Sequence, residues 1–394
     1  MIKNRKIALW GGGMICRAWL DGGFDEHVSI IIDNNPEKAS DIIKGKTIIA
    51  PDGVDDFRSF YIIITSNFYD EIRKQLEGYG LLYREDFISY IDYMSEPIDI
   101  VSITQALKDI VFGGDSDKNF VLEVRTKDEY DDIYKKYDKC IKYEDALNKM
   151  YQRKLGKRIV YPGYCSVCEN EERLTVDYIW SDGTKPLWRE TVFCPVCKLN
   201  SRMRFLVERV CNSVGDEDSV YICEQVTPTY KALQSKIKNL IGSEYLKDNY
   251  ISGEVYDGIT HQDVQNLSFP DEEFSCIASA DVYEHVADYK KAFAEAYRCL
   301  KMGGKLIFSI PIFKEKQNSV TRTVIEDGII KKVLPAVYHG NPLSPEGSLV
   351  FTDFGWDVLT SLRDVGFKDA YALVYFSTSK GYFGDLPIIF EAKK

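Results

Sequence analysis

The stretch that decides the fold is PDEEFSCIASADVYEHVADYKKAFAEAYRCLKMGGKLIFSIP, residues Pro270 to Pro311. Cys276 to Ser279 is an apolar run of strand length, and it leads into the polar turn Asp281 to His285. From Tyr289 to Leu300 apolar residues return at helical spacing, and Leu306 to Ile310 is a second short apolar run. Gly303-Gly304 reads as the stop at the C-terminal end of the helix. Strand, helix and strand in this order make one crossover of a parallel sheet.

The alternation extends outward in both directions. Strands are expected at Val220 to Cys223, Leu240 to Ser243, Gly258 to His261, Tyr371 to Tyr375 and Ile388 to Glu391, with a helix at Trp356 to Val365. With the two strands above this gives seven. Residues 313–350 interrupt the pattern with a hairpin, Val320 to Ile325, a turn at Glu326-Asp327-Gly328, and Ile329 to Leu334. An insertion between late strands of an open sheet commonly covers the ligand crevice. A second, smaller α/β pattern opens the chain: strands at Lys6 to Trp10, Val28 to Ile32 and Tyr61 to Thr65, then a helix with Ile72, Leu76 and Tyr79 on one face. The expected organisation is therefore a Rossmann-like domain at 1–110, a helical connector rich in Asp, Lys and Tyr at 111–160, a cysteine segment at 161–204, and the larger α/β domain at 205–394.

The chain has 394 residues and a formal net charge of −11. An acidic chain does not attract phosphate backbones by its bulk field, so nucleic acid is not an expected partner. No apolar run approaches the ~18 residues of a membrane span, and Ile7 to Trp10 is too short for a secretion signal. With ten cysteines and no such signal, the expected compartment is the cytoplasm, where paired cysteines more often mean metal than disulfide.

Two such pairs are present, Cys165-Ser166-Val167-Cys168 and Cys194-Pro195-Val196-Cys197, separated by 25 residues. Two Cys-x-x-Cys knuckles bring four thiolates to one tetrahedral ion, so a structural zinc in a zinc ribbon is expected. Four free thiols or a redox pair are the alternative. Residues 161–210 hold seven Lys/Arg against seven Asp/Glu, which argues for a structural rather than a nucleic-acid-binding ribbon.

Near the start, Gly11-Gly12-Gly13 follows a strand and opens a helix, and Asp33 lies 20 residues after Gly13. Gly11 and Gly13 could let backbone approach a pyrophosphate, and Asp33 could hold ribose hydroxyls. The third glycine of that fingerprint is missing, with Cys16 or Arg17 in its place. A nucleotide in this domain therefore stands beside a structural or oligomerising role. A dinucleotide-dependent oxidoreductase or sugar-nucleotide enzyme and a non-catalytic scaffold are the rival functions.

One resemblance covers residues 205–394. His261-Gln262-Asp263-Val264, then Leu267 to Phe274, then Ser279-Ala280-Asp281-Val282-Tyr283-Glu284-His285-Val286, then Leu300-Lys301-Met302-Gly303-Gly304-Lys305-Leu306 resemble class I S-adenosylmethionine-dependent methyltransferases acting on small molecules and sugars. The resemblance implies a seven-stranded methyltransferase sheet, S-adenosylmethionine as cofactor, and a sugar, nucleotide-sugar or cell-surface glycan hydroxyl as acceptor. One departure stands out. The first strand ends in Cys223-Glu224-Gln225-Val226-Thr227-Pro228, without the glycines usual in the family. The expected cofactor residues are Glu224, Gln225, Thr227, Glu244, Asp263, Val264 and Asp281, at or past the carboxyl ends of strands. Carboxylates there suit a ligand with a sulfonium, an amine, a ribose diol and an adenine amine. Glu224 is expected on the methionine side, Glu244 at the ribose, and Asp263 with Val264 at the adenine.

A hydroxyl acceptor must lose a proton as its bond to carbon forms, and histidine titrates in the right range. Among the four histidines, His27 lies in the first domain and His261 sits within an expected strand. His285 is expected as the general base, with His339 of the insertion as its rival. If the acceptor is an amine, no base is required.

Overall fold

The computed structural model describes residues 5–20, 28–95, 98–99, 101–113, 117–152, 159–178, 181, 185–246 and 249–394. His27 lies outside them. The chain forms two compact units. The first is drawn from Met1–Leu107, Asp145–Tyr161 and Thr175–Leu187, the second from Lys108–Glu144, Pro162–Leu174 and Trp188–Lys394. Among the described residues no helix is long and apolar enough to cross a membrane.

In the first unit six strands run in the order Ile42–Ile43, Lys46–Ile49, Val28–Ile32, Lys6–Trp10, Phe60–Ile64 and Phe87–Ser89. The central strands pair in parallel. Ile7 and Leu9 pack into one core, Ala8 and Trp10 into the other. A strand covered on both faces reads as a continuous apolar run, which is why Lys6–Trp10 and Val28–Ile32 were visible in the sequence.

The seven-stranded sheet of the second unit has the order Asn239–Gly242, Ser219–Ile222, Phe274–Ala280, Leu300–Ser309, Ile388–Lys393, Asp369–Ser377, Asn119–Val124. The first four are parallel and the last three antiparallel to their neighbours. The sheet has the expected number of strands but a different membership. The expected strand Gly258 to His261 is not part of it. Ile259–Thr260 pairs instead with Val255–Tyr256 across a turn at Asp257 and Gly258, both with positive φ, and His261 makes a single bridge to Glu244. The seventh strand, Asn119–Val124, lies in the stretch expected to be helical throughout. It pairs antiparallel with Asp369–Ser377, and Arg125 is ion-paired to Asp369 at 2.7 Å. Helices Lys127–Lys136 and Asp138–Gln152 do follow it.

Gly303-Gly304 also differs from expectation. Helix Tyr289–Cys299 ends before Leu300, and the glycines fall inside strand Leu300–Ser309. There residues 301–304 form a bulge opposite Phe274 and Cys276, with Gly303 at φ +79°. The insertion forms three short antiparallel pairs: Val320–Thr321 with Thr352–Asp353, Thr323–Glu326 with Ile329–Lys332, and Tyr338–Asn341 with Ser344–Leu349. Its return is anchored at the turn after strand Phe274–Ala280, where the Phe351 amide donates to the Glu284 carbonyl at 2.7 Å.

Candidate active site at the carboxyl edge of the second sheet

Strand Ser219–Ile222 has Asn239–Gly242 on one side and Phe274–Ala280 on the other. The chain order reverses at that point, and an open sheet of this kind binds its ligand beyond the carboxyl ends there. Glu224 follows the first of these strands. It is buried, its Oε1 has no hydrogen-bond partner among the described residues, and burial pushes its carboxyl up to about 7 against the opposing Thr227 hydroxyl. A buried, unpartnered carboxylate oxygen is costly unless a ligand meets it.

Glu244 follows the adjacent strand. Its Oε1 accepts from the amides of Gln225 at 2.6 Å and Val226 at 2.9 Å, so it fixes the glycine-less loop. Gln225 reaches back, accepting from the Thr260 amide at 2.9 Å. Thr227 caps helix Pro228–Gln234 by accepting from the Tyr230 amide. These three side chains do structurally what glycines do elsewhere through backbone freedom. The one glycine that matters here is Gly242. A Cβ on it would fall 2.4 Å from the Tyr230 ring and 2.6 Å from the Glu224 carbonyl oxygen. Gly242→Ala is expected to destabilise the chain by about 1–3 kcal/mol, the usual cost of overpacking. A thermal melt checks this, and an unchanged midpoint counts against the close approach.

Asp263 is half-buried and closes its own turn, accepting from the Gln265 amide at 2.9 Å. Val264 sits inside that turn. His261 is packed rather than free: its Nδ1 accepts from the Leu246 amide at 3.1 Å.

Asp281 follows strand Phe274–Ala280 with φ +52°, and its carboxylate is already engaged. Arg202 Nη2 lies at 3.0 Å and Arg189 Nη2 at 3.5 Å, and Ser309 Oγ donates at 2.8 Å. Glu190 joins the group, 2.9 Å from Arg202 Nε. Burial alone would push Asp281 up and Arg202 down; the opposite charges outweigh it in both, so each holds its charge. Asp281 is thus placed as the anchor of a buried ion cluster under the crevice. Arg189, Glu190 and Arg202 gave no sequence signal, because arginines beside a cysteine knuckle read as surface charges.

The turn after Asp281, past the same strand Phe274–Ala280, carries the other half of the site. His285 and His339 come together, ring centroids 5.0 Å apart, on either side of Glu284. His285 Nδ1 is 2.9 Å from the Leu349 carbonyl, and burial lowers its pKa. His339 is pulled the other way by Glu284. Glu284 is 1 % exposed, and neither of its oxygens has a hydrogen-bond partner among the described residues. Burial pushes its carboxyl up to about 7. Sequence reading missed Glu284, although it stands next to His285 in the stretch first quoted.

The four cysteines converge. Cys165 and Cys197 sulfurs lie 3.8 Å apart and those of Cys168 and Cys194 3.7 Å. Tetrahedral metal–sulfur bonds of ~2.3 Å give sulfur–sulfur edges of about 3.8 Å, so the set fits zinc. The first knuckle joins strands Ile159–Cys165 and Asn170–Val176, and the second precedes helix Ser201–Cys211, capped by Asn200.

In the first unit Gly11, Gly13 and Asp33 border one cavity of about 560 Å³. Gly11 has φ +112°, and a Cβ on it would fall 2.8 Å from the Ser66 Cβ and 3.0 Å from the Thr65 carbonyl oxygen. Both Asp33 oxygens are occupied, one by the Asn35 amide at 2.9 Å, the other by the Gly12 amide at 2.7 Å and Lys38 Nζ at 3.0 Å.

Comparison with known proteins adds two family matches. Residues 238–308 match a family described as a methyltransferase domain, and residues 3–85 match one described as C2185-like, N-terminal. Among characterised proteins, the chain is 28% identical over 145 residues to a ubiquinone/menaquinone biosynthesis C-methyltransferase of Vibrio campbellii, which is 34% of this chain and 52% of that protein. It is 35% identical over 97 residues to the enzyme of the same name from Saccharophagus degradans, 25% of this chain and 37% of that one. The chain thus spans about half or less of the length of these relatives. Among solved structures, a methyltransferase from Thermotoga maritima is 18% identical with a TM-score of 0.30, covering 49% of this chain and 90% of that one. A 1,6-didemethyltoxoflavin-N1-methyltransferase from Burkholderia thailandensis, solved with S-adenosylhomocysteine, is 13% identical with a TM-score of 0.30, covering 49% and 77%.

Proposed function

We propose that this chain, whose second unit has the class I S-adenosylmethionine-dependent methyltransferase fold, transfers a methyl group from that cofactor to a hydroxyl of a small polar molecule of sugar type. The observation that carries the reading is the unpartnered, buried Glu224 oxygen at the switch point, with Glu244 beside it. A cation with an amine and a ribose diol satisfies both. Glu224 meets the methionine side, Glu244 the ribose, and Asp263 with Val264 the adenine. Glu284, His285 and His339 form the acceptor side, where the hydroxyl is activated in line with the leaving sulfur. S-adenosylmethionine would supply the methyl group there, and a group of the Glu284, His285 and His339 cluster would take the proton that the acceptor hydroxyl loses.

The relatives are C-methyltransferases by name. A carbon acceptor is the alternative, and the cluster of ionisable groups at the acceptor side favours oxygen. We read the four cysteines as a structural zinc site. In the first unit we read Asp33 as a latch on the glycine turn, because both its oxygens are occupied.

Calorimetry with S-adenosylmethionine, S-adenosylhomocysteine and NAD tests the reading: the first two should bind and be held by the second unit. Binding of NAD alone would overturn it in favour of an oxidoreductase. Glu244→Ala is expected to weaken cofactor binding by about 1–3 kcal/mol, the range for losing a charge-assisted hydrogen bond. Affinity unchanged from wild type would remove Glu244 from the site. A pH dependence follows from Glu224. Its folded pKa is raised, so the free protein loses stability from this group as pH rises through about 7. A cationic cofactor favours the ionised form. Affinity should therefore rise with pH through that range, with proton release on binding. Calorimetry in buffers of different ionisation enthalpy reads that release, and Glu224→Gln should abolish it.

A further inference from the structure

The acceptor side holds an arrangement that a proton-transfer role alone does not explain. Glu284 Oε1 is 3.6 Å from His285 Nε2 and 3.5 Å from His339 Nδ1. These separations are too long for good hydrogen bonds. They are close to the ~3.3–3.4 Å edge of a tetrahedron with metal bonds of ~2.0–2.1 Å to nitrogen and oxygen. The cysteine sulfurs of the same chain show the same relation to their own metal edge. All three ligand atoms fall within 4.8 Å of one another. Glu284 is 1 % exposed and both its oxygens lack a hydrogen-bond partner among the described residues. His285 gives Nδ1 to the Leu349 carbonyl at 2.9 Å, which turns the Nε2 lone pair toward Glu284. That backbone contact is the usual outer support of a metal-bound histidine.

We propose that Glu284, His285 and His339 bind one divalent transition-metal cation, of the zinc class, with a fourth position open to the acceptor. Two imidazoles and a carboxylate are a ligand set of catalytic rather than structural sites. The chemical consequence rests on the methyltransferase reading above. The cation takes the acceptor oxygen as its fourth ligand and lowers its pKa. The O–H proton leaves to solvent. The oxygen lone pair forms the bond to the methyl carbon as the carbon–sulfur bond breaks, and neutral S-adenosylhomocysteine is left. His285 and His339 are then ligands, and the role expected for His285 as a lone base passes to the metal. The insertion supplies His339 and the Leu349 carbonyl, so it completes the site as well as covering it.

Cobalt(II) is the probe. The full chain, stripped and reloaded, should take two cobalt ions. One shows thiolate-to-metal charge transfer from the cysteine site; the other adds visible bands without a sulfur contribution. Glu284→Gln and His339→Ala should each keep the sulfur band, which shows that the chain is folded, and lose the second ion with an affinity fall of at least ~100-fold. A wild-type chain that takes no cobalt beyond the sulfur site overturns the proposal, as does a second ion that persists in both variants. S-adenosylhomocysteine calorimetry on the same samples separates this from the broader reading. Binding of that ligand without a second metal leaves the methyltransferase reading intact and removes only the metal.

Discussion

A Cys194→Ser chain is expected to carry no metal at the knuckles and to melt far below wild type. Four-thiolate zinc sites contribute apparent binding free energies of ~10–16 kcal/mol, which become folding free energy where no site exists in the unfolded chain. That is as large as the net stability of an ordinary domain, about 5–15 kcal/mol. The effect should not stay local. Ser166, inside the first knuckle, is 2.6 Å from the Tyr382 hydroxyl, and the Tyr164 amide donates to the Ser379 carbonyl at 2.7 Å. Both contacts tie the knuckle to the turn after strand Asp369–Ser377. Metal analysis paired with a thermal melt checks the prediction. One metal ion per chain fewer than wild type, together with a lost transition, is the expected pair of results for the variant; unchanged melting of a chain whose knuckles are metal-free would show that the cysteines serve another purpose.

Arg202→Ala is the second large expected loss, about 3–5 kcal/mol. The guanidinium is buried between Asp281 and Glu190 and donates to Ser309 Oγ at 2.9 Å. Removing it leaves two buried carboxylates with only Arg189 to balance them. Urea unfolding measures the loss. Asp281→Asn in the Arg202→Ala background should recover part of it, because the pair is coupled through direct contact. Simple additivity of the two substitutions would mean that the ion cluster is not one unit.

Much of this is legible in the sequence. Ile7–Trp10 and Ile30–Ile32 are continuous apolar runs because both faces of those strands are covered, and Phe274–Ala280 with the helix after it shows the change of period that marks a crossover. The cysteine spacing carried its own chemistry. What escaped has identifiable causes. Asn119–Val124 has only six residues, exposed or half-buried except Val124, between helical stretches, so local pattern could not set it apart. Its position is decided by a strand far along the chain. Gly303 looked like a helix stop because glycine serves a bulge and a helix end equally well. Glu284 passed unnoticed because an acid beside a histidine has no period, and only the return of the insertion makes it buried and unpartnered. The ion pairs of Asp281 were not legible because Arg202 and Arg189 lie about eighty and ninety residues upstream.

Asn119–Val124 also sets a timetable. Its partner residues, Ala372 to Ser377, are synthesised about 250 residues later. At ~5–20 residues per second, a ribosome takes on the order of ten to fifty seconds to deliver them. Throughout that interval the segment has no partner strand, and the sheet cannot close on this side until Ala372 to Ser377 have emerged. The charges within and beside it, Asp117, Lys118, Glu123 and Arg125, sit where a waiting strand needs protection from pairing with a neighbouring chain. Lys118 and Arg125 bracket the pairing stretch, and Arg125 later finds Asp369 at the start of the adjacent strand. Arg125 thus serves twice, first as part of a guard during synthesis and then as the clasp that ends it.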